Sequence, residues 1–143
     1  MNDTIIKFGY PDNALGEYEY WVVLLRPRQI TAGSLVLVCK ESAAVLSQVS
    51  ATAYAELPRV TGELEAALAR SFEYEKINYL ALMMVDKHVH FHVLPRYSGP
   101  REVAGITFVD SDWPKPADIT NTTPMSDEQF NSLRTLLREN WPC

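Results

Sequence analysis

His88-Val89-His90-Phe91-His92-Val93-Leu94-Pro95-Arg96 decides how the rest of this chain is read. All 3 histidines of the protein fall in its first five positions, at every second residue. A β-strand repeats every two residues, so the imidazoles of His88, His90 and His92 share one face, while Val89, Phe91 and Val93 share the other. One face reads as core, the other as a row of bases, nucleophiles or metal ligands. A merely solvated face is the weaker reading, because it leaves the gathering of every histidine into one strand to chance. Alternating histidines on a strand also ligate zinc or copper. A closed zinc site needs a fourth ligand, and only Cys39, Asp86 and Asp110 suggest themselves.

Outward from this strand, Lys76–Met84 has strand character and is joined to His88–Leu94 by little more than Val85-Asp86-Lys87, which predicts an antiparallel hairpin. Pro95 is expected to end the second of these strands. Glu17–Leu25 and Gly33–Cys39 read as two further strands, separated by a connection containing Pro27. The first 16 residues are rich in turn formers, with one short strand expected at Ile5–Phe8. Residues 42–72 read as helical, with Leu57, Val60, Leu64, Ala67 and Leu68 on one side, Ser50 or Thr52 as cap, and Pro58 as first turn or kink. Residues 97–125 carry Gly99, Pro100, Gly105, Pro114, Pro116 and Pro124 and read as a long surface tail in which Trp113 is a candidate anchor. Ser126-Asp127-Glu128-Gln129 is a capping-box pattern opening a last helix. The order strand, strand, helix, strand, strand, helix predicts an α+β domain with a largely antiparallel sheet.

The chain of 143 residues fits a single domain, 1–143, with a Pro-rich tail and helix from about residue 97. With 47% apolar and 22% charged residues it has an ordinary globular composition. A net charge of −5 argues against coating nucleic acid, so any anionic ligand must be drawn by a local positive site. Cys39 and Cys143 form no CxxC pair. No apolar run reaches membrane-spanning length, and the start, Met1-Asn2-Asp3-Thr4, lacks the pattern of a signal peptide. The expected setting is reducing and cytoplasmic, with no nucleic-acid or membrane partner.

The nine residues from His88 to Arg96 resemble the signature of the histidine triad family, His-φ-His-φ-His-φ-φ with φ apolar. The Pro-Arg ending is frequent in its dinucleoside polyphosphate hydrolase branch. Upstream, Arg26-Pro27 through Gly33-Ser34-Leu35-Val36-Leu37-Val38 resembles that family's proline-containing loop and Gly-His-φ-φ-φ-φ strand. The likeness covers residues 8–98 in the family's element order. It implies a histidine-triad-like fold with a five-stranded antiparallel sheet, a main helix and a C-terminal helix, assembled as a homodimer that binds a nucleotide. It further implies hydrolysis or nucleotidyl transfer at the α-phosphate of dinucleoside polyphosphates, phosphoramidates or related nucleotides. His90 would be the nucleophile and form a nucleotidyl-imidazole, with His88 and His92 hydrogen-bonding phosphate and one of them protonating the leaving group. No obligatory cofactor or metal is implied, although a divalent cation can accompany a polyphosphate substrate.

For nucleotide binding the resemblance points to Phe8, Leu24 and Val36 as apolar wall, Arg26 near a ribose-contacting position, Ser34 near phosphate, and Arg96 as a phosphate contact. Each of the apolar three is equally readable as plain core, and Arg96 as a surface charge. The sequence departs from the family at two points. Ser34 replaces a frequent histidine, and Met84 stands where many members place a polar residue four positions before the first histidine. These losses motivate a rival reading, a non-catalytic nucleotide-binding or regulatory module on the same fold. A His-rich metal-binding protein is the third.

Overall fold

Residues 1–142 are described by a computed structural model, and Cys143 lies outside the described residues. Strands β1 (Ala14–Glu17), β2 (Trp21–Leu25), β3 (Leu35–Cys39), β4 (Lys76–Leu80) and β5 (His90–Arg96) form one antiparallel sheet in the order β1-β2-β3-β5-β4. The α+β architecture expected from the sequence is therefore present. Helices α2 (Ala51–Phe72) and α3 (Asp127–Asn140) pack on one face of the sheet, and the short α1 (Asp3–Lys7) lies against the other. Among the described residues no helix is long and apolar enough to cross a membrane.

Alternation along the strands sorts the two faces. Val23, Leu25, Leu35, Leu37 and Val93 turn toward Val60, Leu64 and Leu68 of α2 and Leu133 and Leu137 of α3. Val22, Leu24, Val36 and Val38 turn the other way and are closed over by Ile5 and Phe8. Helix α2 starts at Ser50, whose hydroxyl accepts from Ala53 N at 3.1 Å, one of the two caps the sequence suggests. Pro58 sits inside the helix on its exposed side, so the missing donor falls where water serves the freed carbonyl. Helix α3 carries the full capping box between Ser126 and Gln129. Gly33 has φ of 82°, and an added Cβ would meet the Phe72 ring at 2.5 Å, so β3 can enter beneath the end of α2 only with glycine there.

Several local expectations are corrected. Ile5–Phe8 is not a strand. Asn2 caps a helix from residue 3 by accepting from Ile5 N, and Ile5 and Phe8 are buried at helical i, i+3 spacing. Glu17–Leu25 is not one strand, because the Glu56 carboxylate takes the amides of Glu19 and Tyr20 and holds a turn between β1 and β2. The segment before α2 holds only a single 3-10 turn at Leu46–Gln48. Strand β4 stops at Leu80, so nine residues, 81–89, connect it to β5 rather than a tight turn. Strand β5 runs through Pro95 to Arg96. Its pairing with β3 ends at Val93, so the proline lies where the strand has one neighbour only.

The tail is more ordered than its prolines suggest. It opens with a hairpin of β6 (Arg101–Val103) and β7 (Ile106–Phe108), turned by Ala104 and Gly105 at φ of 54° and 75°. Beyond it, the chain is pinned by Thr123 N donating to Gln29 O at 2.8 Å.

Candidate active site

Strand β5 occupies the second-to-last place in the sheet, and its alternation puts His90 and His92 on the α1 face, level with Val38 and Val36 of β3. Both rings are buried, at 1% and 6% exposure, and border a cavity of about 590 Å³. They meet edge to face with centroids 5.1 Å apart. Phe8, delivered by the end of α1, packs 6.1 Å from His90 and 6.0 Å from His92.

The hydrogen bond that defines the chemistry is made by His90 Nδ1, which lies 2.7 Å from the backbone oxygen of His88. A carbonyl oxygen only accepts, so Nδ1 carries the proton and the lone pair of the neutral ring sits on Nε2. His92 is held neutral by its surroundings. Burial first, then the neighbouring His90 and Arg26, lower its pKa from 6.5 to about 4. Its Nδ1 is buried without a partner. His92 therefore does not supply an imidazolium at neutral pH.

His88 lies just before β5, and its ring turns away from the cavity, its Nδ1 3.0 Å from Thr4 Oγ1 on α1. Three alternating histidines thus do not make three equivalent cavity residues. The first contributes its carbonyl to His90 and ties the loop to α1.

Of the nucleotide-binding candidates, Phe8 and Arg26 border the cavity. Leu24 and Val36 do not. Ile5 and Phe8 seal them at 0% exposure, and they act as a floor behind the histidine row. Ser34 is also displaced from the expected role. Its hydroxyl accepts from Ile30 N and Thr31 N and donates to Thr31 O, so it is spent on shaping the loop before β3. Arg96 is a buried strut. It makes two bonds to Asp110, at 2.7 and 3.1 Å, and donates to Asn78 Oδ1 and Lys115 O, which anchors the tail. Asp110 is thereby unavailable to the histidines, and Cys39 packs on the opposite face of the sheet. Among the described residues no three His, Cys, Asp or Glu side chains gather as a metal site would require.

The cavity also recruits residues that pattern alone did not single out for binding. Lys7, Pro27, Arg28, Leu82, Val85 and Ile119 line it, together with Met84 and Asp86, which the sequence does single out. Lys7 and Asp86 pair across it at 2.6 Å. The one available signal was charge, since Arg26 and Arg28 flank Pro27 in the loop leading to β3. Ile119 comes from the tail and had no signal.

No family model matches this chain, and no curated protein matches it. Solved structures do. A histidine triad protein of Sinorhizobium meliloti superposes with a TM-score of 0.74 at 21% identity, over 98% of this chain and 95% of that one. The chain has the histidine triad fold. A hypothetical histidine triad nucleotide-binding protein of Sulfolobus tokodaii gives 0.70 at 16% identity, covering 96% of this chain and 88% of its own. A zinc-bound histidine triad family protein of Mycobacterium smegmatis gives 0.61 at 20% identity, over 94% and 90%. In this histidine triad fold, the central histidine of the three, His90, borders the cavity and has its tautomer fixed by a backbone carbonyl.

Proposed function

We propose that the protein is a nucleotide hydrolase or nucleotidyl transferase acting at the α-phosphate of dinucleoside polyphosphates, phosphoramidates or related nucleotides, with His90 as nucleophile. The observation that carries this is the His90 Nδ1 bond to the His88 carbonyl, which leaves Nε2 with its lone pair in a ring that borders the cavity. Nε2 attacks the α-phosphorus, the P–Nε2 bond forms, and the bond to the leaving group breaks. Positive charge on the phosphorylated ring is met by the same carbonyl, whose bond to Nδ1–H strengthens as the ring becomes cationic. Water or another acceptor then attacks phosphorus and gives up its proton to solvent, the P–Nε2 bond breaks, and the lone pair returns to His90. The nucleotide-binding description of the Sulfolobus tokodaii relative supports the substrate class.

In this reading no metal is obligatory in the chemical step, and a divalent cation enters only with a polyphosphate. The working unit is a homodimer, for which β4 offers an unpaired sheet edge. Size measurement in solution checks that part. A second reading, a nucleotide-binding module without turnover, is favoured by Ser34 being spent in its loop and Met84 standing 79% exposed. Rapid quench with a radiolabelled dinucleoside polyphosphate and a radiolabelled phosphoramidate decides. Acid-labile label on the protein, lost in His90→Ala and kept in Ser34→Ala, is expected. Binding across a nucleotide panel without label or turnover overturns the enzyme reading in favour of the module.

A further inference from the structure

The loop that delivers the histidine row is anchored by α1. Between β4 and β5, residues 81–88 make no backbone–backbone hydrogen bond among the described residues. Met84 and Val85 of this loop stand out in solvent. Two of its side chains make hydrogen bonds, and both go to α1. Asp86 accepts from Lys7 Nζ at 2.6 Å, and His88 Nδ1 lies 3.0 Å from Thr4 Oγ1. Thr4 and Lys7 are three residues apart and share a face of the helix. The helix is itself fixed. Ile5 is fully buried, Asn2 Oδ1 caps the first turn, and Asn2 Nδ2 donates to Cys39 O at 2.9 Å.

Lys7 is half exposed, whereas Thr4 is 3% exposed. Among the described residues His88 Nδ1 is the one partner of Thr4 Oγ1. A buried hydroxyl with a single partner spends its proton on that partner. Thr4 therefore donates to His88 Nδ1, and the neutral His88 ring carries its proton on Nε2. His90 has the reverse arrangement, with its proton on Nδ1 and its lone pair on Nε2. Two histidines two residues apart are thus held in opposite tautomers.

The peptide between His88 and Val89 joins the two settings. It is planar, so its N–H and C=O point opposite ways. Val89 N donates to Ala43 O at 2.8 Å, and the His88 carbonyl points back to His90 Nδ1. The Ala43 bond fixes one end of this plane. The other end depends on where residue 88 sits, and residue 88 precedes the strand, beyond the reach of its ladder. The bond from its ring to Thr4 supplies that hold.

We propose that Thr4 is a positioning residue for His90, its hydroxyl acting through the His88 ring to set the carbonyl that keeps the His90 proton on Nδ1 and leaves Nε2 free to attack. The catalytic consequence rests on the proposed attack by His90. The nucleophile is then set by the N-terminal helix, an element apart from the strand that bears it.

Three measurements on the intact chain test this. Nitrogen-15 NMR of the imidazoles needs no turnover. The protein should show His88 protonated at Nε2 and His90 at Nδ1, and a His88 ring protonated at Nδ1 overturns the proposal without any variant. Thr4→Val, which keeps the shape and loses the hydroxyl, should bring a second tautomer at His90, and Thr4→Ser should restore the single one. A His90 ring unchanged in Thr4→Val, or disturbed equally in Thr4→Ser, overturns the proposal. The second measurement is the single-turnover rate of labelling by radiolabelled diadenosine tetraphosphate. It should fall about tenfold or more in Thr4→Val and recover in Thr4→Ser. Affinity for AMP should change by less than about twofold, because Thr4 does not line the cavity. An unchanged rate, or a loss of affinity as large as the loss of rate, overturns the positioning role. Third, Thr4→Val in a His88→Ala background should cost nothing further, and an additional loss of the same size overturns the route through His88. If Thr4→Val shifts the His90 tautomer in a protein whose wild type takes up no label, attack by His90 fails while the setting by Thr4 stands.

Discussion

The two faces of the one sheet obey different rules. Toward α2 and α3 the strands present Val23, Leu25, Leu35, Leu37 and Val93, and the helices answer with Val60, Leu64, Leu68, Leu133 and Leu137. Toward α1 the same strands present valines and leucines interrupted by His90, His92 and Arg96. The first face meets its few polar groups from within, with Trp21 Nε1 donating to Ala53 O at 2.8 Å and the Tyr97 hydroxyl to Ala32 O at 2.6 Å. The second borders a cavity where two of the three buried, unpartnered side-chain polar atoms among the described residues lie, Arg26 Nε and His92 Nδ1. A fold that satisfies its core on one face and leaves polar nitrogens unmet on the other has placed stability and ligand demand apart.

The comparison breaks most sharply at His90. His90→Ala should lower turnover by about 10³-fold or more while the fold persists, because the substitution removes the nucleophile and leaves the α2 and α3 face intact. Steady-state kinetics beside circular dichroism check both halves. Next comes the Arg96–Asp110 pair, whose side chains are 4% and 2% exposed. Asp110→Ala should cost about 3–5 kcal/mol in urea unfolding, since it leaves a buried guanidinium unpaired. Leu64→Ala, in the α2 core, should cost about 2–5 kcal/mol in the same unfolding measurement.

The pH dependence of stability separates the faces more gently. His92 is held at a pKa of about 4 when folded, against 6.5 for the free group. Between those values the unfolded chain binds one proton more than the folded one. Stability should therefore be full above pH 6.5 and fall as pH drops toward 4, by about 1.4 kcal/mol per pH unit from this group. His92→Gln should flatten that slope in urea titrations at stepped pH. A slope that survives the substitution assigns the effect to other groups. The smallest effect on stability is expected at Lys7, whose pair with Asp86 is half open to solvent. Lys7→Ala should change unfolding by less than about 1 kcal/mol.

The core face was the legible one. Helical spacing at Val60, Leu64 and Leu68, the Ser126 capping box and the alternation of β5 each carry their own local signal, and each stands in the structure. The site was legible where a strand carries it, at His90 and His92. It was obscure where loops do. Tyr18–Tyr20 became a turn because Glu56, distant in sequence, takes its amides. Ile119 reaches the cavity because Arg96 and Gln29 hold the tail down, and no periodicity encodes that. Ser34 and Arg96 carry the right chemistry for phosphate, yet local acceptors and donors claim them first. His88 follows the alternation in sequence but precedes the strand in space, so its ring is free to meet Thr4.

The central claim is that Nε2 of His90 bonds phosphorus while Nδ1 stays on the His88 carbonyl. Protein labelled with nitrogen-15 at the imidazoles, reacted with diadenosine tetraphosphate and quenched in alkali, reports it through phosphorus–nitrogen coupling in the NMR spectrum. The account predicts a single coupled nitrogen, Nε2 of His90, absent in His90→Ala. Coupling to Nδ1, to His88 or His92, or to no histidine during measured turnover would contradict it.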